Sequence, residues 1–225
     1  MSPGGPRTRT AELGDRPGTG RIERVRLVYR FFAPVYDAFR VQWGRWTHEA
    51  EQELDRLFSE RIGERTRILE LAPGTGVNLE RLFRRASGFA SYLGIDASPE
   101  MLAHARRKAE GDPRVELRLG DVRDLSGAPG PFDFVVSTWL LSHLDEPEAV
   151  VRAAVERLAP GGTAAFLFTT RPDSAWVRAP LEWIFRVGAA SYLDAERLRP
   201  LPHFERRATY AGGIATLALF RRSGG

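Results

Sequence analysis

The stretch Ile68 to Asn78, reading Ile-Leu-Glu-Leu-Ala-Pro-Gly-Thr-Gly-Val-Asn, constrains this chain's fold more than any other. Apolar Ile68, Leu69 and Leu71 surround an acidic Glu70, a turn of Ala72, Pro73, Gly74, Thr75 and Gly76 follows, and helix-forming residues run on from Asn78 to about Arg85. The expectation is a strand, a tight turn and a helix start. Gly74 and Gly76 carry no Cβ, so the backbone there can take positive φ and come close to a ligand. The helix that follows presents N–H groups with no partner of their own. A nucleotide-like ligand is expected at the turn.

A dinucleotide fingerprint would need a third glycine, and the positions where it would fall are Leu79 counting from Gly74 and Val77 counting from Ala72. The segment instead resembles motif I of the class I S-adenosylmethionine (SAM) dependent methyltransferases, an acidic residue followed by alternating small and Gly positions. Ala72 departs from that pattern, where Gly is commoner. The resemblance implies that Glu70 holds the cationic methionine end of the cofactor. Further along, Ala90 to Ile95 forms a second strand that ends at Asp96, and Ser98 caps the next helix with Pro99 at its first position. Asp96 lies twenty residues after Gly76, a distance that fits strand–turn–helix–strand and puts a carboxylate at the carboxyl edge of the adjacent strand, where it can accept both ribose hydroxyls. Gly94-Ile-Asp96-Ala-Ser98-Pro-Glu-Met101-Leu resembles the family's second motif along its whole length.

Arg114 to Leu119 alternates as a half-exposed edge strand and stops at Gly120-Asp121. By resemblance Asp121 accepts from the adenine amine and the Val122 N–H reaches the ring. Phe132 to Ser137 is a buried strand, Asp145 to Leu158 a crossover helix and Thr163 to Thr169 the fifth strand, and a further helix is expected around Asp194 to Leu201. Phe132-Asp133 and Leu158-Ala-Pro160-Gly-Gly162 are further landmarks of the same family. Ala72, Gly74, Gly76, Asn78, Ala97, Met101, Ser137 and Thr138, with Tyr29 from the N-terminal segment, complete the implied cofactor contacts. The repeated strand–helix order with short connections implies a parallel sheet with its ligand site at the carboxyl edges. Phe204 to Tyr210 and Ile214 to Arg221, joined across Ala211-Gly212-Gly213, make a hairpin that turns the last strand antiparallel. The fold class is α/β: a doubly wound, seven-stranded, mostly parallel Rossmann-like sheet with helices on both faces. The resemblance covers about Ile22 to Arg222.

The 225 residues allow one large core, read as a flexible tail over 1–20 and a catalytic domain over 21–225. Within it, 21–62 is a helical cover in two parts. Val25, Val28, Tyr29, Phe32 and Tyr36 recur at helical spacing up to a break at Pro34, and a second helix runs from about Trp43 to Ile62. Tyr29 to Asp37 resembles the segment that folds over the cofactor in the quinone and phospholipid branch of the family. The other reading of Tyr29 and Tyr36 is as core aromatics. Residues 171–193 carry Val177, Leu181, Ile184 and Phe185 on one helical face with Trp176 and Trp183 beside it. They read as a lid over an apolar acceptor, an extra packing helix, or a contact with a membrane surface that presents a lipid. A charge of +4 is mild and spread out, and all but one of the 33 basic residues are arginine, with no block of five. No nucleic-acid partner is expected.

The chain has no Cys, and its four His have no metal spacing, so thiol and metal chemistry are not expected. The N-terminus lacks a signal-peptide core, no run of eighteen apolar residues occurs, and a cytoplasmic location is the expectation. The reaction expected is methyl transfer from SAM to an apolar small molecule such as a quinone precursor, a lipid or a natural product. Alternatives are a non-catalytic SAM-binding protein, or a methyltransferase of RNA or protein. His143, after the fourth strand, is the first candidate for a general base, followed by Tyr36 and Tyr210, and the competing reading of His143 is a turn anchor. The composition leaves the oligomeric state open.

Overall fold

Alternating apolar runs and amphipathic stretches build seven strands and the helices that cover them. The computed structural model describes residue 44 and residues 47–224, apart from 87, 129, 177, 179–181 and 183–189. Helix α1 (residues 47–61) precedes β1 (Arg67–Leu71), α2 (Val77–Arg85), β2 (Ser91–Asp96), α3 (Pro99–Ala109) and β3 (Val115–Leu119). After β4 (Phe132–Thr138) come α4 (Pro147–Val155), β5 (Leu158–Thr169), β6 (Phe204–Tyr210) and β7 (Ala215–Arg221). The sheet order is β3-β2-β1-β4-β5-β7-β6. β7 pairs antiparallel with β5 and β6, and the remaining neighbours are parallel. The sequence-level fold class is therefore what the chain adopts.

The sheet separates two apolar cores. On one face Ile68, Tyr92, Phe134, Val136 and Leu167 meet Ala50, Leu54 and Phe58 of α1 and Leu79 and Leu82 of α2. On the other, Leu69, Leu71, Val135 and Phe166 meet Val150, Val151 and Ala154 of α4. This is why the central strands read as near-continuous apolar runs: a parallel strand covered by helices on both faces has no wet side. β3, at an edge, keeps the half-exposed alternation over Val115 to Leu117 and loses it at Arg118 and the exposed Leu119.

Three boundaries differ from the sequence reading, each for a local reason. The crossover helix stops at Val155 and β5 begins at Leu158, because Phe132 pairs with Leu158 and then Phe134 with Thr163. The Gly161-Gly162 pair is a bulge inside the strand. Gly161 has φ +79°, and a Cβ on Gly162 would lie 2.9 Å from the Ala159 carbonyl oxygen. The helix expected over Asp194 to Leu201 is a single 3-10 turn, Ala195–Leu198, capped by Asp194 accepting from the Glu196 N–H at 3.0 Å. Pro200 keeps Arg199 from carrying it on as an α-helix. The second N-terminal helix is described over 47–61. Trp43, the 1–20 tail, Tyr29, Tyr36 and most of 177–189 lie outside the described residues.

Candidate cofactor site

In the order β2-β1-β4 the chain's progress across the sheet reverses at β1, and a crevice opens there at the carboxyl ends of the strands. The turn after β1 fills the floor of that crevice. Ala72, Gly74 and Gly76 have φ values of +54°, +55° and +82°. Three left-handed residues in five explain why glycine is favoured at all three places. Ala72 is held there by its N–H, which donates to the Ile95 carbonyl at 2.8 Å, so the turn is tied to β2 whatever the cost to its Cβ.

The two glycines serve different neighbours. A Cβ on Gly74 would meet nothing within 4 Å, so this residue faces open space. A Cβ on Gly76 would lie 3.0 Å from the Ala105 Cα of α3, so what comes close at Gly76 is another helix. That distinction was not visible in the glycine spacing.

Asp96 is 8% exposed at the end of β2. Its Oδ2 accepts from the Gly74 N–H at 2.9 Å and its Oδ1 from the Ser98 N–H at 2.9 Å. Burial pushes its pKa up, and the N–H groups of Ser98, Gly74 and Ala97 oppose that push. Three N–H groups do not exhaust the roughly four lone-pair sites of a carboxylate, so acceptor capacity is left over. One carboxylate thus fixes the turn after β1 against the turn after β2. Ser98 caps α3 by accepting from the Met101 N–H at 3.2 Å, which places buried Met101 in the helix's first turn and half-buried Ala97 just before it.

Asp121, after β3, is held by Arg123, whose Nη2 donates to Oδ2 at 2.6 Å and whose backbone N–H donates to Oδ1 at 2.9 Å. Val122 beside it is buried. At the end of β4, the buried Ser137 hydroxyl donates to the Leu71 carbonyl at 2.9 Å. Thr138 Oγ1 accepts from Asn78 Nδ2 at 3.1 Å. His143 closes the 3-10 turn Leu141–His143 and is half-buried, its N–H donating to the Leu140 carbonyl at 2.8 Å. Tyr210 stands at the end of β6, and burial pushes its hydroxyl pKa up, the wrong direction for a base near neutrality.

Glu70 is fully buried, with Asn78 Nδ2 donating to Oε1 at 2.8 Å and the Tyr92 hydroxyl to Oε2 at 2.5 Å. Tyr92 went unremarked in the sequence, because one aromatic on a buried strand carries no sign that its hydroxyl meets an acid. Trp139 was missed as well. It follows β4 with φ +64°, rare for so large a residue, and its N–H donates to the Leu167 carbonyl at 2.7 Å.

Residues 68–162 match the methyltransferase domain family. The phosphatidylethanolamine N-methyltransferase of Cereibacter sphaeroides is 33% identical over 166 residues, an alignment that covers 69% of this chain and 80% of that protein. The chain belongs to the class I SAM-dependent methyltransferases. A ubiquinone biosynthesis O-methyltransferase of Xanthomonas campestris is 33% identical over 135 residues, covering 57% of this methyltransferase and 55% of its relative. This chain thus matches only about half the length of that quinone enzyme. Among solved structures, the complex of DhpI with S-adenosylhomocysteine (SAH) has a TM-score of 0.61 at 27% identity, covering 91% of this chain and 98% of that one.

SAM is the cofactor of the family, and the residues of this methyltransferase fit it. The turn offers an open backbone face at Gly74, and the α2 N-terminus lies beside it. Asp96 stands at the neighbouring strand end with acceptor capacity left over.

Proposed function

We propose that this methyltransferase transfers a methyl group from SAM to an apolar small-molecule acceptor, such as a quinone precursor, a lipid or a natural product. The observation that carries the cofactor half is the left-handed turn with its open face at Gly74, fixed to Asp96 at the next strand end. The acceptor half draws on the relatives, one named for a phospholipid and another for ubiquinone biosynthesis. Bound SAM supplies an activated methyl on a sulfonium.

In this reading Asp96 takes the ribose hydroxyls. Asp121 takes the adenine amine, sharing its carboxylate with Arg123, and Val122 offers its N–H to the ring. Ala72, Gly74, Gly76 and the first turn of α2 at Asn78 make the backbone cradle, with Ala97, Met101, Ser137 and Thr138 bounding it and Tyr29 closing it. The chain's task is to align an acceptor atom with the methyl carbon and to keep water out. His143, in the 3-10 turn after β4, or Tyr36 takes a proton when the acceptor must lose one.

The proposal treats 21–62 as a cover and 171–193 as a lid. Trp176, 92% exposed at the start of that stretch, gives the lid an apolar surface that could meet an acceptor or a lipid surface. No helix among the described residues is long and apolar enough to cross a membrane, and a cytoplasmic location is part of the same proposal.

Methyl-labelled SAM incubated with the protein and a cell extract, then partitioned between organic solvent, water and macromolecular precipitate, tests the reading. Protein-dependent label in the organic phase is the expected result. Label in RNA or protein would replace the acceptor class, and tight SAH binding with no label transferred anywhere would favour a non-catalytic SAM-binding protein.

A further inference from the structure

Glu70 lies beneath the cofactor turn, on the sheet face that α2 covers. It stands opposite Gly94 of β2 and Val136 of β4 in the parallel register. Its carboxylate has no accessible surface, and two donors already meet it: Asn78 Nδ2 on Oε1 at 2.8 Å and the Tyr92 hydroxyl on Oε2 at 2.5 Å. The second Asn78 amide hydrogen goes to Thr138 Oγ1 at 3.1 Å. Side chains from β2 and the first turn of α2 thus meet at one acid on β1, and Asn78 links it on to β4.

Gly94 makes room for the arrangement. A Cβ there would lie 3.1 Å from Tyr92 Cε1, 3.0 Å from Pro73 Cγ and 2.8 Å from Leu117 Cδ2, so any side chain would disturb both the Tyr92 ring and the turn. A buried carboxylate is costly unless well bonded, and an apolar replacement is often no less stable, so its place under the turn asks for a purpose beyond stability.

The geometry points to Glu70 and Tyr92 as a pair of positioning residues that hold the cofactor turn in its binding shape through Asn78, without either one touching the ligand. This rests on the cofactor reading above and goes beyond it, because it moves Glu70 away from the methionine end and gives Tyr92 a function. Two donors aimed at one carboxylate suit its ionised form. Burial, together with Asp96 on β2, opposes ionisation, while Tyr92, Asn78 and the Arg81 charge on α2 favour it, and the Glu70 pKa is pushed up to about 7. The grip on Asn78 therefore strengthens as pH rises through neutrality, and ligand affinity rises with it.

The test is calorimetric titration at pH 6 and pH 8 of two ligands, SAH and 5′-methylthioadenosine, which lacks the amino-acid end. The proteins are wild type, Tyr92→Phe, Glu70→Gln and the double variant, each verified folded by its melting curve. Tyr92→Phe and Glu70→Gln should each weaken both ligands by the same factor, at least five-fold at pH 8. Glu70→Gln should remove the gain between pH 6 and pH 8, and the double variant should be no weaker than Glu70→Gln alone. A Glu70→Gln penalty confined to SAH would mean that the acid meets the ammonium directly. A Tyr92→Phe protein within two-fold of wild type would reduce Tyr92 to a core residue. Either result overturns the inference, whereas failure of wild type to bind both ligands would overturn the cofactor reading itself.

Discussion

At the scale of single residues, two positions carry costs that the fold tolerates for the sake of the site. Ala72 sits at φ +54°, where an L-residue with a Cβ loses about 1–2 kcal/mol and glycine does not. Allowing for the backbone entropy that glycine loses on folding, Ala72→Gly should stabilise the protein by about 0.5–1 kcal/mol in chemical denaturation. Unchanged or lower stability would show that the Ala72 methyl makes contacts worth as much as the strain. Glu70 is the second case. Its pKa is about 7 in the folded protein against 4.5 for the free side chain, so the fold favours the protonated form. No cost arises below pH 4.5, it grows as pH rises toward 7, and it is complete above that at roughly 3 kcal/mol. Glu70→Gln cannot ionise, so its stability relative to wild type should improve by about that amount between pH 4.5 and pH 8. A pH-independent difference would contradict the burial account. The presence of an acid four residues before Gly74 was legible in the sequence. Its enclosure was not, because the hydroxyl that reaches it comes from Tyr92, a neighbour across the sheet with no signal of its own.

At the scale of elements, the strand–turn–helix unit separates two kinds of glycine that look alike in sequence. Gly76→Ala would press a Cβ against the Ala105 backbone at 3.0 Å and also strain a φ of +82°, so it should cost on the order of 2 kcal/mol or more by pushing α2 from α3. Gly74→Val meets open space, so the fold should survive with only the backbone strain while SAH binding is lost. Comparison of the two variants by thermal melting and SAH titration decides this. Equal melting temperatures, or retained SAH binding by Gly74→Val, would show that the turn's roles are assigned wrongly. The same reasoning explains which boundaries were legible. α2 ends where the sequence placed it, because its apolar positions and its basic last turn are local signals. β5 starts five residues before the expected Thr163 because the Gly-Gly bulge is set by pairing with β4, a contact distant in sequence. The 3-10 turn after Asp194 falls between, since Pro200 was visible and its effect on the turn depends on the chain around it.

At the scale of the whole molecule, the mostly parallel, doubly wound sheet was legible because each βα step with a short connection leaves few topologies, and the closing hairpin reverses the last strand. The acceptor is less legible, because cofactor motifs and fold say nothing of the second substrate. If residues 171–193 are a lid, deletion of 174–189 should leave SAH binding intact and remove turnover on the acceptor found by labelling. Unchanged turnover would discard the lid. The central claim is that a SAM-type ligand lies across the Gly74 turn and the Asp96 carboxylate. The most direct measurement is titration of SAH into the wild-type protein and Asp96→Ala, with NAD as the competing nucleotide. The account predicts that wild type binds SAH and not NAD, and that Asp96→Ala loses about 1.5–3 kcal/mol of that affinity, roughly a ten- to hundred-fold weakening, on removal of a charged bidentate acceptor. SAH affinity within a factor of two of wild type in the folded Asp96→Ala protein, or binding of NAD in place of SAH, would contradict it.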